Sequence, residues 1–286
     1  MRRLKIIPFF KHNRAVSYTV SAIIITATTV ALALVAFSYA YQVLEQQRGI
    51  SEFEVAKKSI LAFNDALENV AWKPGATRST RFTAQYGYMR LYPNANNIII
   101  NATVNGVWQP LSTGTTFPGL TGIIEYRLST EYVSFLPNYE SYILGSNSSI
   151  ISGTDEGYGR AAIRQQTGWV NITLDYRVRA MRTSVIKVNG VDTNYVDIWV
   201  IKLVIKTDPT KPLSAQPQWS YIHDFDLQAK SLNVVTVSKS FTNVNNPTTS
   251  VSVQIGSAKP QQVPITLQVP GQVVFSVVVA EVQVNV

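Results

Sequence analysis

The first quarter of the chain passes from one hydrophobic pattern to another. Residues 16–44 carry apolar, small and hydroxyl side chains, one amide at Gln42, and no charged side chain. A helix rises about 1.5 Å per residue, so this range would form a helix about 43 Å long, and the hydrocarbon core of a bilayer is about 30 Å thick. The pattern therefore predicts a helix that is long enough to cross a membrane.

The range that follows has an amphipathic pattern. Its apolar residues recur at steps of three and four, and polar residues fill the remaining positions. The apolar set is Ile50, Phe53, Ala56, Ile60, Phe63, Leu67 and Val70. This spacing predicts that the helix continues with one apolar stripe, which needs a covering surface, and that it ends at Lys73, Pro74 and Gly75.

After Gly75 the chain changes to short β-prone runs that are separated by Gly, Pro, Asn and Ser. These runs, with no second helical period, predict antiparallel sheets packed as a sandwich. The predicted strands are residues 81–91, 97–104, 122–128, 169–181, 184–188, 195–207, 227–238, 249–255, 263–269 and 273–286. The last run is a valine-rich strand, and we expect other strands of the same chain to pair with it.

Together these patterns predict an α+β fold in three parts. A basic leader occupies residues 1–15, a long hydrophobic and then amphipathic helix occupies residues 16–71, and a head resembling an antiparallel β-sandwich occupies residues 72–286. Three prolines within residues 208–218 make this range the best candidate for a boundary inside the head.

The charge is concentrated at the amino terminus. The leader carries five basic residues and no acid, and the first carboxylate of the chain is Glu45. A basic block before an apolar helix predicts membrane insertion with the amino terminus in the cytoplasm and the head outside. Removing those five residues lowers the net charge from +8 to +3, so the basic charge reflects targeting and we expect no nucleic-acid partner.

The chain has few residues that could carry catalysis. It has no cysteine and only two histidines, His12 in the leader and His223 in the head. This composition excludes thiolate zinc sites, cysteine nucleophiles and disulfides. His223 is followed by Asp224 and Asp226, an arrangement typical of a polar loop. We therefore expect no enzyme activity, no cofactor and no metal site.

Small residues within the apolar helix indicate faces for helix packing. Five alanines recur at a spacing of three or four on neighbouring faces: Ala27 and Ala31, then Ala33, Ala36 and Ala40. Small side chains at this spacing allow two helix backbones to approach closely in an apolar environment.

Three sequons of the form Asn-x-Ser/Thr predict glycosylation of a head outside the cell. They begin at Asn101, Asn147 and Asn171. Asn147 follows Gly145 and Ser146 and has the most loop-like surroundings, so we expect it to be the preferred acceptor of the three.

The junction between leader and helix resembles a known signal. Arg14-Ala15-Val16-Ser17, followed directly by the apolar helix, resembles the class III signal peptide of archaeal type IV pilins and archaellins. The range 53–75 also resembles archaeal pilin-like proteins. Bacterial pilins usually carry a glutamate at the fifth mature position, where this chain has Val20, so the resemblance is to the archaeal type.

The resemblance implies a function and partners. A prepilin peptidase would cut between Ala15 and Val16 and leave the helix on the mature protein. The chain would then be a structural subunit, major or minor, of an archaeal type IV pilus or related adhesive surface filament, held in the membrane before it assembles with other copies or other pilins.

The residues alone leave two alternatives open. One is a single-pass, membrane-anchored extracellular β-domain that contacts the cell envelope or S-layer. The other is a secreted protein cut after Ala40, because Ser38-Tyr39-Ala40 fits the small-x-small pattern of a signal peptidase site.

Overall fold

The computed structural model describes residues 13–112, 116–154, 156–207, 219–268 and 270–286, with only the backbone at residues 13–17, 219 and 222. Most of the predicted leader and the predicted boundary at 208–218 lie outside the described residues.

The chain forms two compact units, Met1–Arg48 and Gly49–Val286. One helix, α1 (Asn13–Ala71), contributes to both units, so the division falls inside the helix and its last turns belong to the head.

The head contains thirteen described strands in one hydrogen-bonded sheet. They are β1 (Thr77–Val104), β2 (Val107–Pro110), β3 (Gly119–Ser129), β4 (Glu140–Leu144), β5 (Ile150–Ile151), β6 (Gly159–Gln166), β7 (Trp169–Tyr176), β8 (Val178–Val188), β9 (Val191–Ile205), β10 (Trp219–Val244), β11 (Thr248–Ile255), β12 (Gln261–Thr266) and β13 (Gly271–Asn285). All pairs are antiparallel except β9 with β13 and β5 with β8. The predicted α+β class is confirmed.

Two long strands connect two separate hydrophobic cores. The first part of β1 pairs with β10 and its last part pairs with β11, while the second part of β10 pairs with β13. The helix–sheet core lies under α1 and includes Phe63, Leu67, Phe82, Ile124, Ile172, Leu203 and Val282. The sheet–sheet core combines residues from two parts of this one sheet, the end of β1 with β11 and the strands β13, β9 and β8. It includes Ile100, Val104, Ile198, Val253, Phe275, Val277 and Val279. Both cores therefore depend on the same two strands.

The amphipathic stripe of α1 covers the helix–sheet core, as its spacing predicts. Phe53, Ala56, Ile60, Phe63, Leu67 and Val70 are all buried. Ile50 is the exception, because its side chain remains 37% exposed. The predicted covering surface is thus the sheet of the same chain.

The end of α1 is fixed by strand β10. The backbone N–H of Lys73 donates to the carbonyl of Val70 at 2.8 Å, which tightens the last turn, and Gly75 adopts a φ of +83°. The hydroxyl of Ser231 on β10 donates to the buried carbonyl of Ala71 at 3.0 Å. A helix leaves its last carbonyls without partners, so Ser231 supplies one of the missing hydrogen bonds. The predicted helix end is confirmed.

The valine-rich strand β13 lies between two other strands. It pairs with β10 in antiparallel register and with β9 in parallel register. The expectation that this strand is paired within the chain is therefore confirmed, although its parallel neighbour was not predicted.

Candidate interaction surface of the N-terminal helix

The first unit presents an uncovered apolar helix. An eighteen-residue stretch of α1 near the amino terminus is strongly apolar, and none of it is buried. Large side chains such as Ile25, Leu32 and Phe37 are more than half exposed. Soluble monomers rarely expose apolar patches of this extent. By length and composition the helix can cross a membrane.

The hydroxyl groups of this stretch are satisfied within the helix itself. Thr26 Oγ1 donates to the carbonyl of Ala22 at 2.8 Å, and Thr28 Oγ1 donates to the carbonyl of Ile24 at 2.9 Å. Thr29 makes the same type of bond to Ile25. Because the hydroxyls already have acceptors, these threonines add little polarity to the surface, which suits hydrocarbon or a packed helix interface.

The helical geometry sorts the predicted alanines into two faces. At 3.6 residues per turn, Ala33, Ala36 and Ala40 share one face. Ala27 and Ala31 lie roughly opposite to them, so the expectation of neighbouring faces was wrong. The first face continues toward the amino terminus through three further small residues that sequence reasoning did not group with it: Ala22, Thr26 and Thr29.

The steps along this face alternate between four and three. We call the face Ala22, Thr26, Thr29, Ala33, Ala36 and Ala40 the small-residue seam. The positions recur every seven residues, as 22, 29 and 36 and as 26, 33 and 40. A heptad repeat, with about 3.5 residues per step, is the period of left-handed helix pairing. The seam was readable from the sequence, because the alternating step needs no structural information.

The predicted cleavage residues lie at the start of α1. The backbone of Arg14, Ala15 and Val16 is helical, and their side chains lie outside the described residues. Cleavage between Ala15 and Val16 therefore stays a prediction.

A buried glutamate joins α1 to the head. Glu52 lies on the helix opposite a bulge of β1, where the register with β10 shifts between Ala84 and Met89. Glu52 Oε2 accepts the backbone N–H groups of Gln85 and Tyr86 at 2.8 and 2.9 Å. These two bonds occupy donors that the bulge withdraws from the β-ladder.

The second oxygen of the same carboxylate completes the contact. Glu52 Oε1 accepts the N–H of Gly87 at 2.9 Å and the hydroxyl of Tyr126 at 2.7 Å. Burial and the bond to Glu52 raise the pKa of Tyr126 above its ordinary value, so Tyr126 stays a protonated donor. A Cβ on Gly87 would lie 2.3 Å from the Tyr126 hydroxyl, and the site therefore requires glycine there.

Glu68 makes a second polar contact near the end of α1. Its Oε1 accepts the backbone N–H of Gly159 at 2.8 Å and the Asn64 amide at 3.2 Å. Gly159 packs so closely that a Cβ would lie 2.0 Å from Asn64 Oδ1. Polar residues of the helix thus hold it on the head in addition to the apolar stripe.

The three sequons differ in accessibility. Asn147 is exposed between β4 and β5, Asn101 is half-buried within β1, and Asn171 lies within β7 with 1% of its surface exposed. The folded head offers space for a glycan at Asn147 and none at Asn171, which corrects the expectation for Asn171. Glycosylation at Asn147 and Asn101 stays a prediction.

The histidine and its acidic neighbours lie on the surface. His223 is exposed on β10 with a φ of +66°, and the Asp224 carboxylate pairs with Arg81 Nη2 at 2.9 Å. Within the described part of the chain, no group of three or more His, Asp or Glu residues is arranged to hold a metal ion.

Comparison with protein-family models, curated proteins and solved structures gives no match to this chain.

Proposed function

We propose that this chain is a pilin-like structural subunit, major or minor, of an archaeal type IV pilus or a related cell-surface filament. One observation carries the proposal. The amino-terminal part of α1 is strongly apolar and uncovered, while the last turns of the same helix are buried in the core of the head. An uncovered apolar helix needs a membrane or other helices around it.

The two environments fit successive stages of assembly. Before assembly, the satisfied threonine hydroxyls and the absence of charge between residues 16 and 44 suit a bilayer. After assembly, the apolar stretches of several copies would bury one another, with the small-residue seam as the closest contact. The leader resembles the signal that retains such a helix on the mature protein.

The first prediction concerns maturation. We expect the mature chain in its native cell to begin at Val16, and we expect Arg14→Glu to leave the leader attached because the peptidase reads the residues just before the cut. Mass spectrometry of the amino-terminal peptide measures both. Lys5→Glu is the matched control, since it removes a leader charge far from the cut and should be processed normally.

Two other amino termini of the mature chain would distinguish the alternative functions. A chain that begins at Tyr41 would support the secreted protein, and an intact Met1 would support a plain membrane anchor. Either result would overturn the filament proposal.

The second prediction concerns helix packing. Ala36→Leu adds bulk to the small-residue seam and should strongly reduce the yield of sheared surface filaments in electron microscopy, because close approach of the helices is lost. Membrane insertion should be unchanged, since leucine is more apolar than alanine. Ala27→Leu adds the same bulk to the opposite face and should have the smaller effect.

Two outcomes would contradict this prediction. Equal filament yields for both variants and the unmodified chain would show that neither face packs closely. A loss confined to Ala27→Leu would assign the contact to the face of Ala27 and Ala31 and would exclude the small-residue seam.

A further inference from the structure

The second half of β10 forms an open edge of the sheet. β1 leaves β10 at Lys230, the residue paired with Thr77. Ser231 still exchanges backbone hydrogen bonds with Gly75 and Ala76. From Leu232 to Phe241, β10 is paired on one side by β13, and no described strand pairs with its other side. An unpaired strand presents a row of backbone N–H and C=O groups that can template another strand. We call residues 232–241 the β10 edge.

The sheet–sheet core is also open at this side. Val235 and Val237 are 39% and 42% exposed, although their cross-strand partners on β13, Val279 and Val277, belong to the core. Directly opposed residues of an antiparallel pair share a face of the sheet, so the two valines border the core. Apolar side chains at the rim of the core therefore remain in contact with solvent.

Strand β2 borders the same opening from the facing sheet. Lys239 Nζ donates to the carbonyl of Pro110 at 3.1 Å, which places the end of β2 across from the β10 edge. Val107 on β2 is paired with the core residue Val104, yet its side chain is 57% exposed. A strand added to the β10 edge would lie beside the end of β2 that Lys239 contacts.

The sequence of the β10 edge is complementary to itself. If two copies meet in antiparallel register about a two-fold axis at Thr236, each Val235 lies opposite the other copy's Val237. Thr236 then faces Thr236, a favourable cross-strand pair, and Lys239 faces Asn233. No like charges are opposed, and the exposed valines of both copies are covered.

We propose that the β10 edge is a head-to-head interface that pairs with the same edge of a second copy of this chain. The contact is isologous, with residues of one copy meeting the same segment of the other. It joins the β10–β13–β9–β8 sheets of two heads and closes both sheet–sheet cores. It goes beyond the proposed function, because a two-fold contact cannot relate successive subunits of a polar filament and would instead join two filaments side by side.

Another strand of a second copy fits the β10 edge less well. The outer edge of β8 is also largely open, but it carries the exposed Arg182 and Lys187. The β10 edge carries Lys239 and no carboxylate. Pairing β10 with β8 would place Lys239, Arg182 and Lys187 in one strand pair with no carboxylate between them, which disfavours a head-to-tail arrangement.

Cysteine cross-linking tests the proposal, because the chain contains no cysteine of its own. Thr236→Cys places one thiol at the two-fold axis, where directly paired strands have Cα atoms about 4.5–5.5 Å apart, within the range of a disulfide. We expect mild oxidation of the full chain in detergent to convert most of it to a disulfide-linked dimer. Thr183→Cys, at a residue that is also exposed on the β8 edge, is the matched control and should remain monomeric on non-reducing gels.

The other arrangements give different products. A Thr236→Cys chain that cross-links no more than the Thr183→Cys chain would overturn the proposal. A ladder of higher oligomers from the variant carrying both cysteines would indicate head-to-tail pairing and would also overturn it.

A charge exchange provides a second test that does not depend on oxidation. Thr236→Lys and Thr236→Asp each place like charges opposite each other at the axis, so each variant alone should lose head pairing. Mixing the two should restore pairing between differently tagged copies in a pull-down. Unfolding midpoints equal to that of the unmodified chain would show that the heads of both variants are folded. Failure of the mixture to pair would then contradict the proposal.

Discussion

Replacing Glu52 by alanine should lower the free energy of unfolding of the head by about 3 kcal/mol. The change removes the acceptor of four hydrogen bonds, of which those to Gly87 and Tyr126 are buried. Each buried donor left without a partner costs about 1–3 kcal/mol, whereas water can reach the more exposed N–H of Gln85. Urea unfolding of the full chain in detergent, followed by tryptophan fluorescence, measures the loss.

Glu54 provides the matched control for this prediction. It lies on the same helix, but its side chain is 55% exposed and its ion pair with Lys57 lies at the surface. Glu54→Ala should change stability by less than about 0.5 kcal/mol, the usual contribution of such a helix pair. Equal losses for the two variants would show that the buried carboxylate does not hold the helix to β1.

Replacing Phe63 by alanine should destabilise the head by about 3–5 kcal/mol. Phe63 is fully buried on the face of α1 that packs on the sheet. Its ring and that of Phe82 pack edge-to-face at a centroid distance of 6.3 Å. Phe82 in turn stacks on Phe225 at 5.6 Å. Truncation leaves a cavity between the helix and two strands, which neither backbone can close without moving. The same unfolding experiment measures the loss.

Ile50 tests whether burial causes this effect. It belongs to the same predicted apolar stripe but remains partly exposed, so Ile50→Ala should cost less than about 1.5 kcal/mol. A small effect of Phe63→Ala, similar to that of Ile50→Ala, would contradict the described packing of the helix on the sheet.

Helix α1 was predictable because the residues that determine it lie close together in the sequence. Charge-free composition and a three-and-four spacing are properties of neighbouring residues, and they gave the apolar segment, the buried stripe and the end near Gly75. The kind of surface that covers the stripe was also predictable, since an apolar helix face packs against a sheet or another helix.

Several strands were not predictable because pairing, and not composition, makes them strands. β6 has few alternating apolar residues, yet it pairs with β7 along its whole length and buries Ala161. Residues 92–96 contain proline and two asparagines and were therefore expected to separate two strands. In the structure β1 passes through them as an irregularity in its register with β3.

The polar contacts of the helix were also hidden from the sequence. Nothing in the sequence distinguishes Glu52 from Glu54, because the donors to Glu52 lie more than thirty residues away at a bulge. The open β10 edge is equally non-local, since it depends on where β1 stops pairing. Local periodicity therefore located the proposed helix interface but not the proposed interface at the β10 edge.

The position of β13 determines when the sheet of the head can be completed during synthesis. Its two partners, β9 and β10, precede it along the chain, and it fills the gap between them. During translation the apolar helix can enter the bilayer early, while the gap stays empty until synthesis has passed Asn285. The nascent head thus spends its time on the ribosome with two unfilled sheet edges, and folding with this many long-range pairings is slow. Protection by a chaperone would matter most in that interval.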